Sequence, residues 1–397
     1  MSDILFLAQR IPYPPVKGDK IRSANILKHL AARHRVFCGA FVDDPEDWRQ
    51  VGTLQSWCAD LCLVQLDRRP ALCRSLGGLA TGEALCLPYY RDSRLKAWVS
   101  QILCTQRPSC AYVFSSAMAQ YVVNHPQRPD LIIMDFVDVD SQKWQAYADG
   151  KSWPLSWVYR REARLLLKHD RAVAARTTAG LFVSPAEAAL FRQLAPEVAD
   201  RIVSVANGVD TAYFDPSQDF PNPFRSNATH VVFTGAMDYW PNVEAVTWFA
   251  DTVLPLLRRF HPIEFVIVGS NPGATVTALG ERDGIQVTGR VPDIRPYLAH
   301  AHAVVAPLNI ARGVQNKVLE AMAMARPVVV TPQALEGIAA RPGHEVLEAP
   351  RQPEHFAATL LDALSPDHCG LGVAARRLVC RDYSWPGTLA MLDGLLA

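Results

Sequence analysis

The sequence predicts an α/β protein of two doubly wound domains facing across a cleft, and three observations predict it. Short apolar runs of strand length alternate with longer amphipathic stretches, the pattern of βα units and parallel sheets. That series runs twice, on either side of a stretch over residues 215–228 rich in Pro, Asp, Ser and Asn. The chain has 397 residues, too many for one hydrophobic core and comfortable for two. Ligands of such Rossmann-like sheets bind outside the carboxyl ends of the strands.

Taken in order, the strands expected in the first half are 3–8, 35–42, 61–66, 110–114 and 130–135. A helix near 20–33 follows the first of them, and 152–176 reads as a long helix rich in Arg and Leu. The chain turns near Asn207-Gly208-Val209-Asp210. The second series has strands at 230–234, 263–268, 285–287, 303–306 and 328–330, with a helix at 316–325. A last helical segment from about 372 is interrupted at Tyr383-Ser384-Trp385-Pro386. The expected domains are 1–205 joined by about 383–397, and 206–382.

Composition narrows the function classes. Apolar residues make up 49% and charged residues 20%, as in soluble globular proteins. The net charge of +1 supplies no general field for nucleic acid, so any anion must be gripped locally. The nine cysteines lack zinc-ribbon or CxxC spacing, and an odd count argues against a secreted disulfide framework; they read as reduced thiols. The run at residues 3–8 is too short for a signal peptide, and no stretch has the length of a membrane-spanning helix, so the expected place is the cytosol. Residues 68–107 mix Arg68, Arg69, Arg74, Arg91 and Arg94 with Leu and aromatic side chains. That mixture fits a membrane-facing or lipid-acceptor surface as well as an ordinary solvated face.

Three glycine turns are candidates for holding phosphate. Gly18 precedes a helix start, where backbone N–H groups can approach an anion, and Lys17, Lys20 and Arg22 add positive charge; an ordinary βα turn with solvated lysines would look the same. Thr234 and Gly235 end a strand and could present backbone to a diphosphate, and Gly269 repeats the arrangement one unit later. No GxGxxG occurs, which counts against a dinucleotide enzyme. The most specific segment runs from Arg312-Gly313 through Asn316-Lys317 to Glu320. Helix dipole, backbone donors and Lys317 suit a diphosphate there, and Glu320, one turn in, could accept ribose hydroxyls. The plain alternative is a capped helix with an exposed Lys–Glu pair. Asp138-Val139-Asp140 ends a first-half strand and reads as a metal site, a positioning or catalytic acid, or a structural turn.

Taken together, Asn207-Gly208-Val209-Asp210, Thr234-Gly235, Gly269, Gly289-Arg290-Val291 and Lys317…Glu320-Ala321-Met322-Ala323 resemble retaining glycosyltransferase family 4, of the GT-B fold. Tyr383-Ser384-Trp385 is similar to that family's C-terminal crossover helix. Gly18-Asp19-Lys20-Ile21-Arg22, the segment from Asp135 to Trp144 and Val183-Ser184-Pro185-Ala186-Glu187 resemble the subgroup tied to PEP-CTERM/exosortase exopolysaccharide systems. The resemblance implies that Glu320 is the second glutamate of an E-x7-E motif and holds the ribose. It implies that Arg290 and Val291 flank the base, and that Gly18 lies near the phosphates and acceptor. Two departures stand out: the first glutamate's position is Arg312, and the basic pair expected after the 234–238 turn is replaced by Trp240-Pro241-Asn242.

The expected activity is transfer of a sugar from a nucleoside-diphosphate donor, a UDP- or GDP-sugar, to a glycan or lipid-linked saccharide with retained configuration. The resemblance implies no metal or other cofactor, and the expectation extends to peripheral contact with the inner membrane. Asp138, Arg312 and Lys317 are the candidate catalytic residues; Gly313 and Asn316 join the donor-binding set. A sugar-nucleotide epimerase of the same fold and a non-catalytic sugar-nucleotide-binding scaffold are the rival readings.

Overall fold

The computed structural model describes residues 2–15, 18–311, 314–365, 368 and 370–396. The chain divides into two compact units, Met1–Ala206 with Leu389–Ala397, and Asn207–Thr388.

The first unit holds a seven-stranded sheet in the order β3-β2-β1-β4-β5-β6-β7. Its strands are β1 (Asp3–Ala8), β2 (Arg35–Val42), β3 (Asp60–Gln65), β4 (Cys110–Phe114), β5 (Leu131–Val137), β6 (Ala179–Phe182) and β7 (Ile202–Ser204). Every pairing is parallel. Helices cover both faces of such a sheet, so its central strands are apolar along their length rather than alternating; Ile4 to Ala8 are all buried. The two strands beyond the expected five are β6 and β7. They are short runs broken by Gly180 and Ser204, and they exist because β5 offers Ala179–Phe182 an edge to pair with and β6 offers one to β7.

The Gly18–Ala31 helix corrects the phosphate reading of its basic residues. Lys20 is 1% exposed and paired with Asp47. Arg22 is 0% exposed; its Nε donates to Asp135 Oδ2 at 2.8 Å and its Nη1 to the Val205 carbonyl at 2.8 Å. Tyr112 OH donates to the same Asp135 oxygen at 2.6 Å. These cations brace the interior, where an unpaired charge is far costlier than a paired one. Asp135→Ala would strand Arg22, so we expect a loss of about 3–5 kcal/mol in a urea unfolding titration. Asp135→Asn, which keeps an acceptor, should lose less; equal losses would mean that packing, not charge, governs the site.

The second unit holds six parallel strands in the order β10-β9-β8-β11-β12-β13. They are β8 (Thr229–Thr234), β9 (Ile263–Val268), β10 (Ile285–Gly289), β11 (Ala303–Ala306), β12 (Val328–Val330) and β13 (Leu347–Glu348). The strand order reverses between β8 and β11, which opens a crevice at their carboxyl ends. Phe249 packs on Phe265 with ring centroids 4.4 Å apart, anchoring one covering helix layer to the sheet. The Asn207-Gly208-Val209-Asp210 segment forms a seam with Tyr383-Ser384-Trp385: Val209 N–H donates to the Tyr383 carbonyl at 2.6 Å, and Val209 bridges Ser384. Glycine is required at 208, since a Cβ there would stand 2.7 Å from the Trp385 ring and 2.8 Å from its backbone. The segment therefore has a structural role. The final helical stretch is two helices, Leu371–Asp382 and Trp385–Leu396, parted at the seam.

Candidate functional site

At the carboxyl ends of β8 and β9 the backbone turns are stacked on one another. Gly235 N–H donates to the Val268 carbonyl at 3.0 Å, Met237 N–H to Ser270 at 2.8 Å, and Gly269 N–H to Gly289 at 3.3 Å. A Cβ on Gly269 would stand 1.6 Å from the Gly235 oxygen. A Cβ on Gly235 would stand 2.7 Å from Asn242 Nδ2 and 3.1 Å from Lys317 Nζ. The N–H groups of Gly235 and Gly269 are thus already spent inside the sheet edge. These glycines offer closeness of approach rather than the free backbone donors expected of them.

Lys317 arrives from the far side of the crevice. It lies in the first turn of the Asn316–Ala323 helix, which follows β11. Its Nζ donates to Asn242 Oδ1 at 2.5 Å and sits 4.4 Å over the Phe233 ring, at the end of β8. Asn242 is 4% exposed, and its Nδ2 donates to the Ala236 carbonyl at 2.8 Å. With both ends of its amide engaged, Asn242 fixes the Gly235 turn and the lysine together. Burial pushes the Lys317 ammonium down to about 7, with Glu320 partly offsetting it. Burial likewise pushes Glu320 up to about 7, against the pull of Lys317. The two are coupled through space but form no ion pair among the described residues, so the exposed Lys–Glu pair of the plain alternative is not what the helix presents.

Around this pair, polar groups are left without partners. Thr234 Oγ1 and Asn316 Oδ1 are buried and have no hydrogen-bond partner among the described residues. Such groups are rare in folded proteins and call for a ligand or a functional reason. The arrangement is a half-buried cation, a carboxyl group near neutrality and two unsatisfied oxygens at a sheet's switch point. It can neutralise an anion and accept hydrogen bonds from hydroxyls or amides beside it.

The remaining candidates are placed differently. Arg290 is exposed and Val291 half-buried just past β10, an edge strand two positions from β8 and so roughly 10 Å away along the sheet. Arg312 and Gly313 lie outside the described residues, as does Lys17. Gly18 and Asp138 belong to the first unit. Gly18 opens its helix with nothing within 4 Å of where a Cβ would stand. Asp138 follows β5, where Val137 has φ 72°; Ser115, just after the neighbouring β4, has φ 74°. Left-handed backbone at non-glycine residues costs of order 1–3 kcal/mol each and concentrates at functional edges. Lys143 Nζ donates to Asp138 Oδ2 at 2.7 Å and to Asp140 Oδ1 at 2.9 Å. Burial works against that ammonium, but Asp140 and Asp138 outweigh it and hold Lys143 above its ordinary range. The Asp138/Asp140 pair carries an internal cation, which speaks against the metal reading.

Asn242 is the residue that sequence reasoning missed. In the sequence its position stands only as the place of an absent basic pair; an Asn at a helix start after a glycine turn is the available signal.

A family model described as Glycosyl transferases group 1 matches residues 228–366. No curated protein matches the chain by sequence. Among solved structures, HepE from Anabaena in complex with UDP and glucose aligns at 15% identity with a TM-score of 0.70, covering 100% of this chain and 99% of its own. Sucrose-phosphate synthase from Thermosynechococcus elongatus aligns at 16% identity with a TM-score of 0.72, covering 100% and 98%. WaaG, a glycosyltransferase involved in lipopolysaccharide biosynthesis, aligns at 17% identity with a TM-score of 0.65, covering 99% of each chain. The chain therefore has the GT-B fold of two Rossmann-like domains, and its second domain carries the match to the Glycosyl transferases group 1 family.

Proposed function

We propose that this chain transfers a sugar from a nucleoside-diphosphate donor to a hydroxyl of a glycan or lipid-linked saccharide, with retention at the anomeric carbon, in exopolysaccharide assembly. The observation that carries the reading is Lys317 delivered onto the Gly235 turn beside the unpartnered Thr234 Oγ1, Asn316 Oδ1 and Glu320, at the switch point of the family-matching domain. HepE is solved with UDP and with UDP-glucose, which supports a nucleotide sugar as partner and a UDP-sugar first among donors, with GDP-sugars next.

In this reading the bond from C1 to the diphosphate oxygen breaks while the acceptor oxygen bonds C1 on the same face. The acceptor's proton passes to the departing phosphate. The sugar is oxocarbenium-like at the summit, so the protein's work is to hold the partners in contact and to stabilise the leaving charge. Lys317 serves that charge without a divalent metal, and Arg312 assists it from the position where the resemblance to the family implies a carboxylate. Glu320 takes the ribose hydroxyls, Gly269, Gly313, Arg290 and Val291 complete the donor side, and Gly18 and Asp138 serve the acceptor side. The reaction belongs on the cytoplasmic side of a membrane.

A thermal-shift screen over UDP-, GDP- and ADP-sugars, followed by product analysis in EDTA, tests the whole reading. No shift with any donor overturns it. Binding without turnover points to a scaffold, and an epimer formed without acceptor points to an epimerase. Loss of turnover in EDTA, restored by manganese, would return the Asp138/Asp140 pair to the metal role. Within the site, Glu320→Ala should weaken UDP binding in calorimetry by about 1–3 kcal/mol, the scale of a lost charged hydrogen bond. Unchanged affinity would remove the ribose assignment.

A further inference from the structure

The first unit carries an exposed stripe that the reaction does not use. On the helix Leu155–Ala174, Trp157, Arg160, Arg164 and Lys168 recur at i, i+3, i+7 and i+11, which places them on one face over about 17 Å. All four are exposed, and Trp153 stands one turn before them at 81% exposure. Leu166, Asp170 and Val173, which are buried, lie on the opposite face. None of the three cations is in an ion pair among the described residues, whereas the next one along, Arg171, pairs with Glu197 at 2.7 Å.

A second exposed apolar row lies beside it. On the helix Arg68–Thr81, Leu72, Leu76 and Leu79 share a face by their spacing, and Leu76 is 62% exposed. Arg161 Nη2 donates to the Gly78 carbonyl at 2.6 Å, which ties this helix to the Leu155–Ala174 helix next to the stripe. Arg68 and Arg69 extend the positive charge. No acid occurs between residues 68 and 81; between 150 and 168 the one acid is Glu162, buried where it accepts from Leu85 and Cys86 N–H.

We propose that this face docks on the surface of an anionic phospholipid bilayer. Exposed indoles and leucines enter the headgroup boundary while unpaired arginines and lysine meet lipid phosphates. Charge decides between this occupant and a second copy of the chain. A two-fold interface would bring the same row of cations against itself. An anionic membrane supplies the opposite charge. No helix among the described residues is long and apolar enough to cross a membrane, so the contact lies in the interfacial plane. The proposal stands apart from the donor chemistry, and its failure leaves the transferase reading intact.

Sedimentation with sucrose-loaded vesicles tests it. The full chain should bind vesicles containing phosphatidylglycerol, bind phosphatidylcholine vesicles at least about tenfold less, and lose binding as salt rises. Trp153→Ser with Trp157→Ser should lower partitioning by roughly tenfold or more, the scale of returning a large apolar side chain to water. Arg160→Glu with Lys168→Glu should abolish the preference for anionic lipid without touching the indoles. An unchanged circular dichroism spectrum and melting temperature show that each variant is folded. Undiminished vesicle binding by both variants, or no binding by the native chain, overturns the proposal. So does sedimentation equilibrium showing that the tryptophan variant turns a dimer into a monomer while lipid binding is unaltered.

Discussion

Lys317→Ala is expected to slow sugar transfer by about a hundredfold or more while changing donor affinity far less. The reason is that charge on the diphosphate grows as the C1–O bond breaks, so a cation placed there stabilises the transition state more than the bound donor. The lysine's environment adds a pH signature. With its ammonium pushed down to about 7, the free protein loses the cation as pH rises through neutrality. The kcat/KM profile should fall above about pH 7, and Lys317→Arg, which stays charged, should remove that limb. Glu320, pushed up to about 7, should give a rising limb below neutrality that Glu320→Gln removes. A Lys317→Ala variant as fast as the native chain would remove the lysine from the reaction.

The same two groups bear on stability with opposite signs. Between pH 7 and the ordinary lysine range, Lys317 holds fewer protons folded than unfolded, so stability rises with pH there. Between the ordinary carboxylate range and pH 7, Glu320 holds more protons folded than unfolded, so stability falls as pH climbs. Their joint contribution is least favourable near neutrality, where a bound diphosphate would take up a proton at Lys317. Urea titrations at pH 7 and 9 should show a rise with pH in the native chain that Lys317→Met flattens.

Gly269→Ala is expected to be the most damaging small substitution in the second unit. The added methyl would stand 1.6 Å from the Gly235 carbonyl oxygen, a backbone atom that cannot rotate aside. Overpacking of side chains costs about 1–3 kcal/mol; here two strand ends must separate, so a loss at or above the top of that range is expected. The damage should reach the site as well, because moving Gly235 moves the turn that Asn242 and Lys317 hold. Gly273→Ala, with nothing within 4 Å of its Cβ, is the control and should behave as native. Equal melting temperatures for the two variants would mean that the stacked turns can part freely.

Much of the architecture was legible because it is written locally. The alternation of apolar runs with amphipathic stretches needs only neighbours in sequence, and it located most of the longer strands. Strands β6, β7 and β13 escaped because a Gly, a Ser or a Glu breaks each of these short runs, whereas the equally short β11 and β12 are wholly apolar; pairing with their neighbours creates them. The spacing of Lys317 and Glu320 at the start of a helix was local too, and so was the row of glycine turns. What the glycines do was not: the 1.6 Å contact that forbids a side chain at 269 belongs to two strands laid side by side.

Charge was where sequence reasoning had least purchase. Lys20 and Arg22 follow a glycine at a helix start, as phosphate ligands would, yet both are buried, and Arg22 meets Asp135 across 113 positions. Lys317 meets Asn242 across 75, and burial in that fold brings the lysine near neutrality. By itself the sequence determined two α/β series, the order of their turns and a basic–acidic pair opening one helix, because each follows from local periodicity and turn chemistry. Only the tertiary structure decided which cations are internal braces and which stand at a crevice with unsatisfied oxygens, because desolvation and pairing depend on residues that the fold, not the chain, makes neighbours.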